Sequence, residues 1–210
     1  MLPEYPDFLV KIADKYNCKR VIHIGDLVDN HCISYHEKSP ESCSSSEIDE
    51  AIEQIRLLTD RFPKAHLLLG NHDSLAQRQA TTAGLPQRLL RDFKDLFELP
   101  RGWQVYPRYH KLVLDGVLYQ HGDQGKGGQQ AALKNAQAEF CSVVQGHHHS
   151  QGGLWYHANE ANIIFGMQVG TGIDRKHMQL EYGTKFSAKP IISCGVVIDS
   201  QTAYIERMPL

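Results

Sequence analysis

Four apolar runs in this 210-residue chain each end on side chains that bind metals or move protons. Val21-Ile22-His23-Ile24 leads into Gly25-Asp26, and Ala65-His66-Leu67-Leu68-Leu69 leads into Gly70-Asn71-His72-Asp73. Further on, Val117-Leu118-Tyr119-Gln120 ends on His121, and Val143-Val144-Gln145 ends on Gly146-His147-His148-His149. A short, nearly continuous apolar run is the pattern of a strand covered on both faces, as in sheets flanked by helices. In such sheets the carboxyl ends of the strands present reacting groups to solvent. The pattern therefore restricts the chain to an α/β architecture with its chemistry gathered at strand ends.

The segments between these runs agree with that class. Phe8, Leu9, Ile12, Ala13 and Tyr16 recur at near-helical spacing and predict an amphipathic helix over 6–17. A second helix is expected from Ser46, a good N-cap residue followed by the acids Glu47, Asp49 and Glu50, to about residue 62, where Pro63 ends it. A helical stretch is expected near 87–96 and another over 129–140. Asp115-Gly116 between 111–114 and 117–120 is a two-residue hairpin signal. Strands are expected at 163–165, 191–198 and 203–207, the last two as a hairpin across Ser200-Gln201. The Ser-rich stretch 39–46 reads as a surface loop. A chain of this length supports one buried core, and a single domain over 1–210 is expected.

Composition bounds the function further. A formal net charge of -2 supplies no basic field for sequence-independent nucleic-acid binding, which weakens a tight nucleic-acid-binding reading and leaves a nucleic-acid substrate open. No apolar stretch reaches membrane-spanning length, and the first residues lack the blocks of a signal peptide, so a cytoplasmic location is expected. The 5 cysteines are scattered without a Cys-x-x-Cys pair, which fits a reducing compartment.

Taken together and in this order, the four strand-end motifs resemble the calcineurin-like metallophosphoesterase family. The resemblance implies an αββα sandwich, two facing mixed sheets flanked by helices. It implies hydrolysis of a phosphomonoester or phosphodiester by water activated on two divalent cations, which sit about 3.5–4 Å apart in two-metal sites. It assigns Asp26 as the bridging carboxylate, Asn71, His121 and His147 to the second metal, and His149 to the first. His72 would protonate the leaving oxygen or hold a phosphoryl oxygen, with Asp73 orienting its ring. Manganese is the expected ion, with iron, zinc and nickel as the other candidates for mixed N and O donors. The expected partner is a phosphate-ester substrate.

The family's first motif, an Asp-x-His closing the first strand, has no counterpart upstream of Asp26. The chain opens almost directly on the helix that follows that strand, so the resemblance implies a polypeptide lacking it, with as few as one metal. The alternative function is a degenerate one-metal scaffold without turnover. Asp29-Asn30-His31, the single Asp-x-His present, lies downstream of Asp26 and is a weak substitute. His23 reads as a core histidine, and His31, His36 and Arg78 as candidate substrate contacts. His148 is left out of the metal set, because an extended segment would point it away from His147 and His149. Val169-Gly170-Thr171-Gly172 resembles the family's glycine-containing segment after Gly-His-x-His.

Overall fold

The structure, a computed structural model, describes residues 1–35, 46–174 and 188–209. His36, Cys43, His177 and most of the Ser-rich stretch lie outside the described residues. The chain divides into two compact units, residues 20–108 and residues 1–19 with 109–210.

Residues 20–108 hold a three-stranded parallel sheet in the order β1 (Ile22–His23), β2 (Ala65–Leu68), β3 (Trp103–Tyr106). Ile22 lies opposite His66, and Ala65 opposite Trp103. Leu67 and Leu68 are fully buried, each worth about 1.5–3 kcal/mol of burial. Leu67 packs with Phe93, Phe97, Leu99, Trp103 and Ile55, the last from α2 (Ser46–Thr59). The Trp103 indole N–H donates to the Phe62 carbonyl at 2.8 Å, so the buried ring leaves no stranded donor. After β2 come α3 (Leu75–Thr82), a single 3-10 turn at Gln87–Leu89 and the short α4 (Phe93–Leu96). The helix expected near 87–96 is split because Leu90 is extended and Asp92 caps α4, accepting the Lys94 N–H at 2.9 Å.

The other unit has four layers. Its five-stranded sheet runs β4 (Leu112–Leu114), β5 (Val117–Gln120), β6 (Ser142–Gln145), β8 (Ile163–Gln168), β7 (Gly153–Ala158). The inner strands β5, β6 and β8 are parallel, and the outer β4 and β7 are antiparallel to their neighbours. The β4–β5 turn is the expected one, with Asp115 and Gly116 both left-handed at φ 50° and 79°. One sheet face is covered by α5 (Ala131–Glu139), whose Ala136 packs on Leu118 and Val143. The approach is close: a Cβ on Gly166 would lie 2.2 Å from the Leu133 backbone nitrogen, so only glycine fits there. On the opposite face Val117, Val144, Phe165 and Met167 meet Ala203, Val197 and Ile205 of the hairpin β9 (Ser193–Ile198) and β10 (Thr202–Arg207).

α1 (Tyr5–Lys15) docks on that hairpin. The Tyr5 hydroxyl donates to the Ser193 carbonyl at 2.8 Å, Tyr16 stacks on Tyr204, and Lys15 pairs with Glu206. Helix, sheet, hairpin and helix thus follow one another within this unit. The mixed α/β class is the expected one, although hydrogen bonding among the described residues divides the strands into three sheets instead of two. Among the described residues no helix is long and apolar enough to cross a membrane.

Candidate metal centre

In residues 20–108, β1 and β2 run parallel, so the turns after them emerge at the same end of the sheet. Gly25 and Asp26 both take positive φ, 95° and 52°, and the chain turns sharply there. The Asp26 Oδ1 accepts the His72 backbone N–H at 2.9 Å, which joins the two turns. Asp73 is buried beneath them: its Oδ1 accepts the Val28 N–H at 3.1 Å and its Oδ2 the Gly70 N–H at 2.8 Å. The Asn30 side chain donates to the His72 carbonyl at 3.0 Å, and the Ser74 hydroxyl to the Gly70 carbonyl at 2.7 Å. Asn71 sits at the apex, its carbonyl 3.5 Å from an Arg78 guanidinium nitrogen.

The His72 ring does not take the partner expected for it. Its Nδ1 lies 2.9 Å from the Asp29 Oδ1 and 3.0 Å from the Asp29 carbonyl. The expectation that Asp73 orients this ring is therefore corrected: the Asp73 carboxylate is taken up by two backbone donors, and Asp29 is the partner. Burial works against the charged ring, but the Asp29 hydrogen bond and the fields of Asp26 and Asp29 outweigh it, raising the pKa from 6.5 to about 9. A raised histidine pKa stabilises the fold fully below 6.5, and that contribution is lost as pH rises through about 9. In metal-free protein the His72 ring protons should accordingly titrate near pH 9 by NMR, and Asp29→Asn should bring them back toward the ordinary histidine range. A wild-type ring titrating near 6.5 would contradict the pairing.

Asp29 and His31 are not among the grouped metal-type donors of the described residues, and the Asp29 carboxylate is engaged with the His72 ring. The Glu47 carboxylate instead accepts the backbone N–H groups of His31, at 2.5 Å, and Cys32, at 3.0 Å, fixing the turn. At 2% exposure His31 offers little surface to a substrate.

In the other unit, β5 delivers His121 and β6 delivers Gly146 and His147 side by side at the carboxyl ends of paired parallel strands. The Gly146 N–H donates to the His121 carbonyl at 2.8 Å. The His121 and His147 rings lie 5.2 Å apart, edge to face. His147 is left-handed at φ 69°, and the chain turns there, with the His148 N–H donating back to the Gly146 carbonyl at 2.8 Å. The extended geometry that set His148 aside is therefore absent. Its ring packs edge-on against His147 at 5.1 Å, and burial together with the field of His121 lowers its pKa. His149 is half-buried and its carbonyl accepts the Ile191 N–H at 2.8 Å.

The 169–172 segment serves backbone packing. The Val169 N–H donates to the Gln145 carbonyl, the Gly170 N–H to the Ser193 hydroxyl, and a Cβ on Gly170 would meet the Ile191 carbonyl at 2.1 Å.

Each unit, taken by itself, carries metal-type donors on adjacent strand ends, and residues 20–108 also carry an imidazole whose Nδ1 is held by a carboxylate. The family model that matches, calcineurin-like phosphoesterase, covers residues 2–173. The chain belongs to the calcineurin-like phosphoesterase family. The matched region includes Asp26, Asn71, His121, His147 and His149, so all five expected ligands fall inside this phosphoesterase match. No curated protein matches the chain. The sequence reading named Asp29 only within a weak substitute for the missing ligand pair and missed it as the partner of His72. The signal for it was present as a carboxylate three positions after Asp26, but its partner lies 43 residues away.

Proposed function

We propose that this calcineurin-like phosphoesterase chain hydrolyses a phosphomonoester or phosphodiester with the help of a divalent cation. The donors fit such an ion in kind. Asp26, His121 and His147 supply one carboxylate and two imidazoles, a mixture suited to a divalent transition metal, and Asn71 and His149 are the further ligands in this reading. Manganese is the ion we assign. A bound divalent cation supplies positive charge to the phosphoryl oxygens and lowers the pKa of water toward neutrality.

The protein's own part begins with His72. The observation that carries the reading is the placement of this imidazole: it follows Asn71 directly, and its Nδ1 is held by Asp29 at 2.9 Å. Holding Nδ1 fixes the tautomer and leaves Nε2 to carry a proton toward the substrate. Ester cleavage leaves an alkoxide or phenoxide, and a proton from Nε2 at that oxygen neutralises it as the bond breaks. The Asp29 hydrogen bond favours the protonated ring, the form that can donate. Asp73 supports this from below by fixing the turn that carries Asn71 and His72.

Hydrolysis of chromogenic phosphomonoester and phosphodiester substrates by the full chain tests the proposal. Turnover should require added manganese and stop on chelation. A folded, metal-loaded protein without turnover on either substrate would overturn it and favour a metal-binding scaffold.

A further inference from the structure

Three parallel strands of the five-stranded sheet end on glutamine: Gln120 closes β5, Gln145 closes β6 and Gln168 closes β8. Each is at most 2% exposed, where an apolar side chain would be the ordinary choice. Their amides form one directional chain. The Gln120 Nε2 donates to the Gln145 Oε1 at 3.1 Å, the Gln145 Nε2 donates to the Gln168 Oε1 at 3.0 Å, and the Gln168 Nε2 donates to the Gly146 carbonyl. Asn135 of α5 enters at the middle, its Nδ2 donating to the Gln145 Oε1 at 2.8 Å.

The chain of amides ends where the imidazole pair is built. Gly146 directly precedes His147, and its peptide is clamped on both sides: the carbonyl by Gln168, the N–H by the His121 carbonyl at 2.8 Å. His147 itself sits at φ 69°, a conformation an L residue keeps only when its surroundings enforce it. The loop leaving His121 is held against the same amides. Gly122 has φ 109°, and a Cβ there would lie 3.2 Å from the Gln145 Cβ and 3.1 Å from the Gly146 carbonyl. Four residues on, the Asn135 Oδ1 accepts the Lys126 N–H at 2.7 Å, and a Cβ on Gly125 would meet that same oxygen at 2.6 Å.

We propose that Gln120, Gln145 and Gln168, with Asn135, are positioning residues that set the orientation of His121 and His147 for metal binding. This rests on the reading that those two imidazoles hold a divalent cation. A satisfied buried amide network adds little net stability over an apolar core of the same shape, so its benefit lies in fixing one arrangement of the backbone it grips. Groups that orient metal-ligating histidines without touching the ion typically change metal affinity by about 10–100-fold when removed.

The triple variant Gln120→Met, Gln145→Met, Gln168→Met replaces the amides by apolar groups of similar shape and tests this. Cobalt(II) is the probe, read both by calorimetric affinity and by its visible absorption bands, which report ligand geometry. The folded variant should bind cobalt about 10–100-fold more weakly and show an altered spectrum, with a lowered urea midpoint because the buried Asn135 Nδ2 keeps only the Lys126 carbonyl at 3.4 Å. Gln120→Met alone is the milder variant, since the Gln145 Oε1 keeps Asn135 as donor, and it should weaken binding in the same direction by less. His147→Ala in the wild-type background separates the two readings. Cobalt affinity sensitive to His147→Ala but unchanged in a folded triple or single variant overturns the positioning role alone. Affinity indifferent to His147→Ala overturns the metal reading and this inference with it.

Discussion

Replacing His72 by alanine should lower the turnover of a phosphate ester by about 10²–10⁴-fold, the range a positioned general acid contributes. The groups that orient this ring all lie within residues 20–108. His72 follows Asn71 in the turn after β2, and its backbone N–H is bonded to the Asp26 carboxylate, so the ring is tied to the candidate ligands through one rigid turn. Its Nδ1 is committed to Asp29, which leaves a single ring nitrogen for proton transfer. The loss should fall mainly on kcat, because the proton is needed as the leaving oxygen develops charge. It should also be largest for alkyl esters, whose leaving oxygens need the proton, and smallest for nitrophenyl esters, whose leaving groups are stable as anions. His72→Ala with full activity toward an alkyl ester would remove the residue from the proton-transfer role. Asp29→Asn should produce a smaller loss of the same kind, since the ring keeps the Asp29 carbonyl as acceptor while losing the charge that favours its protonated form.

What the sequence made legible follows from how local each signal is. The Asp115-Gly116 hairpin was legible because two left-handed residues between apolar runs have one common use, and the structure places both at positive φ. The strand-end motifs were legible because a run such as Ala65–Leu68, buried on both faces, stands out against its polar neighbours. β3 and β7 were missed for the opposite reason. Trp103–Tyr106 has only its tryptophan buried, and Gly153–Ala158 is half-buried to exposed throughout, so neither shows the continuous apolar pattern of a covered strand. At the site, ligand types were visible but partners were not. Asp29 reaches His72 only because β1 and β2 pair in parallel register, a fact of pairing that spacing along the chain does not encode. The reason given for leaving His148 out of the metal set assumed an extended segment, and His147 is left-handed instead. The three glutamines carried a readable signal, polar residues closing buried strands, that only their mutual hydrogen bonds explain.

Asp73→Ala should destabilise the fold by about 3–5 kcal/mol, since it strands two buried backbone donors that a carboxylate now satisfies. Asp73 is 4% exposed, and each of its oxygens takes one N–H: Val28 from the segment after β1 and Gly70 from the turn after β2. Solvent cannot replace the acceptor at that depth, so the cost exceeds that of losing an exposed cap. Against a typical total of about 5–15 kcal/mol, this is a large fraction of the stability. Urea unfolding of the full chain should show the midpoint falling by roughly 1–3 M at the slopes usual for proteins of this size. Asp73→Asn should be only partly protective, because an amide offers one acceptor oxygen where two donors converge and turns its NH₂ group toward the other N–H. The paired measurement on His72 discriminates the roles. A residue that merely oriented the His72 ring would, on removal, cut turnover and leave the midpoint in place. A residue that ties the two turns together should lower the midpoint first, with activity following the fraction folded.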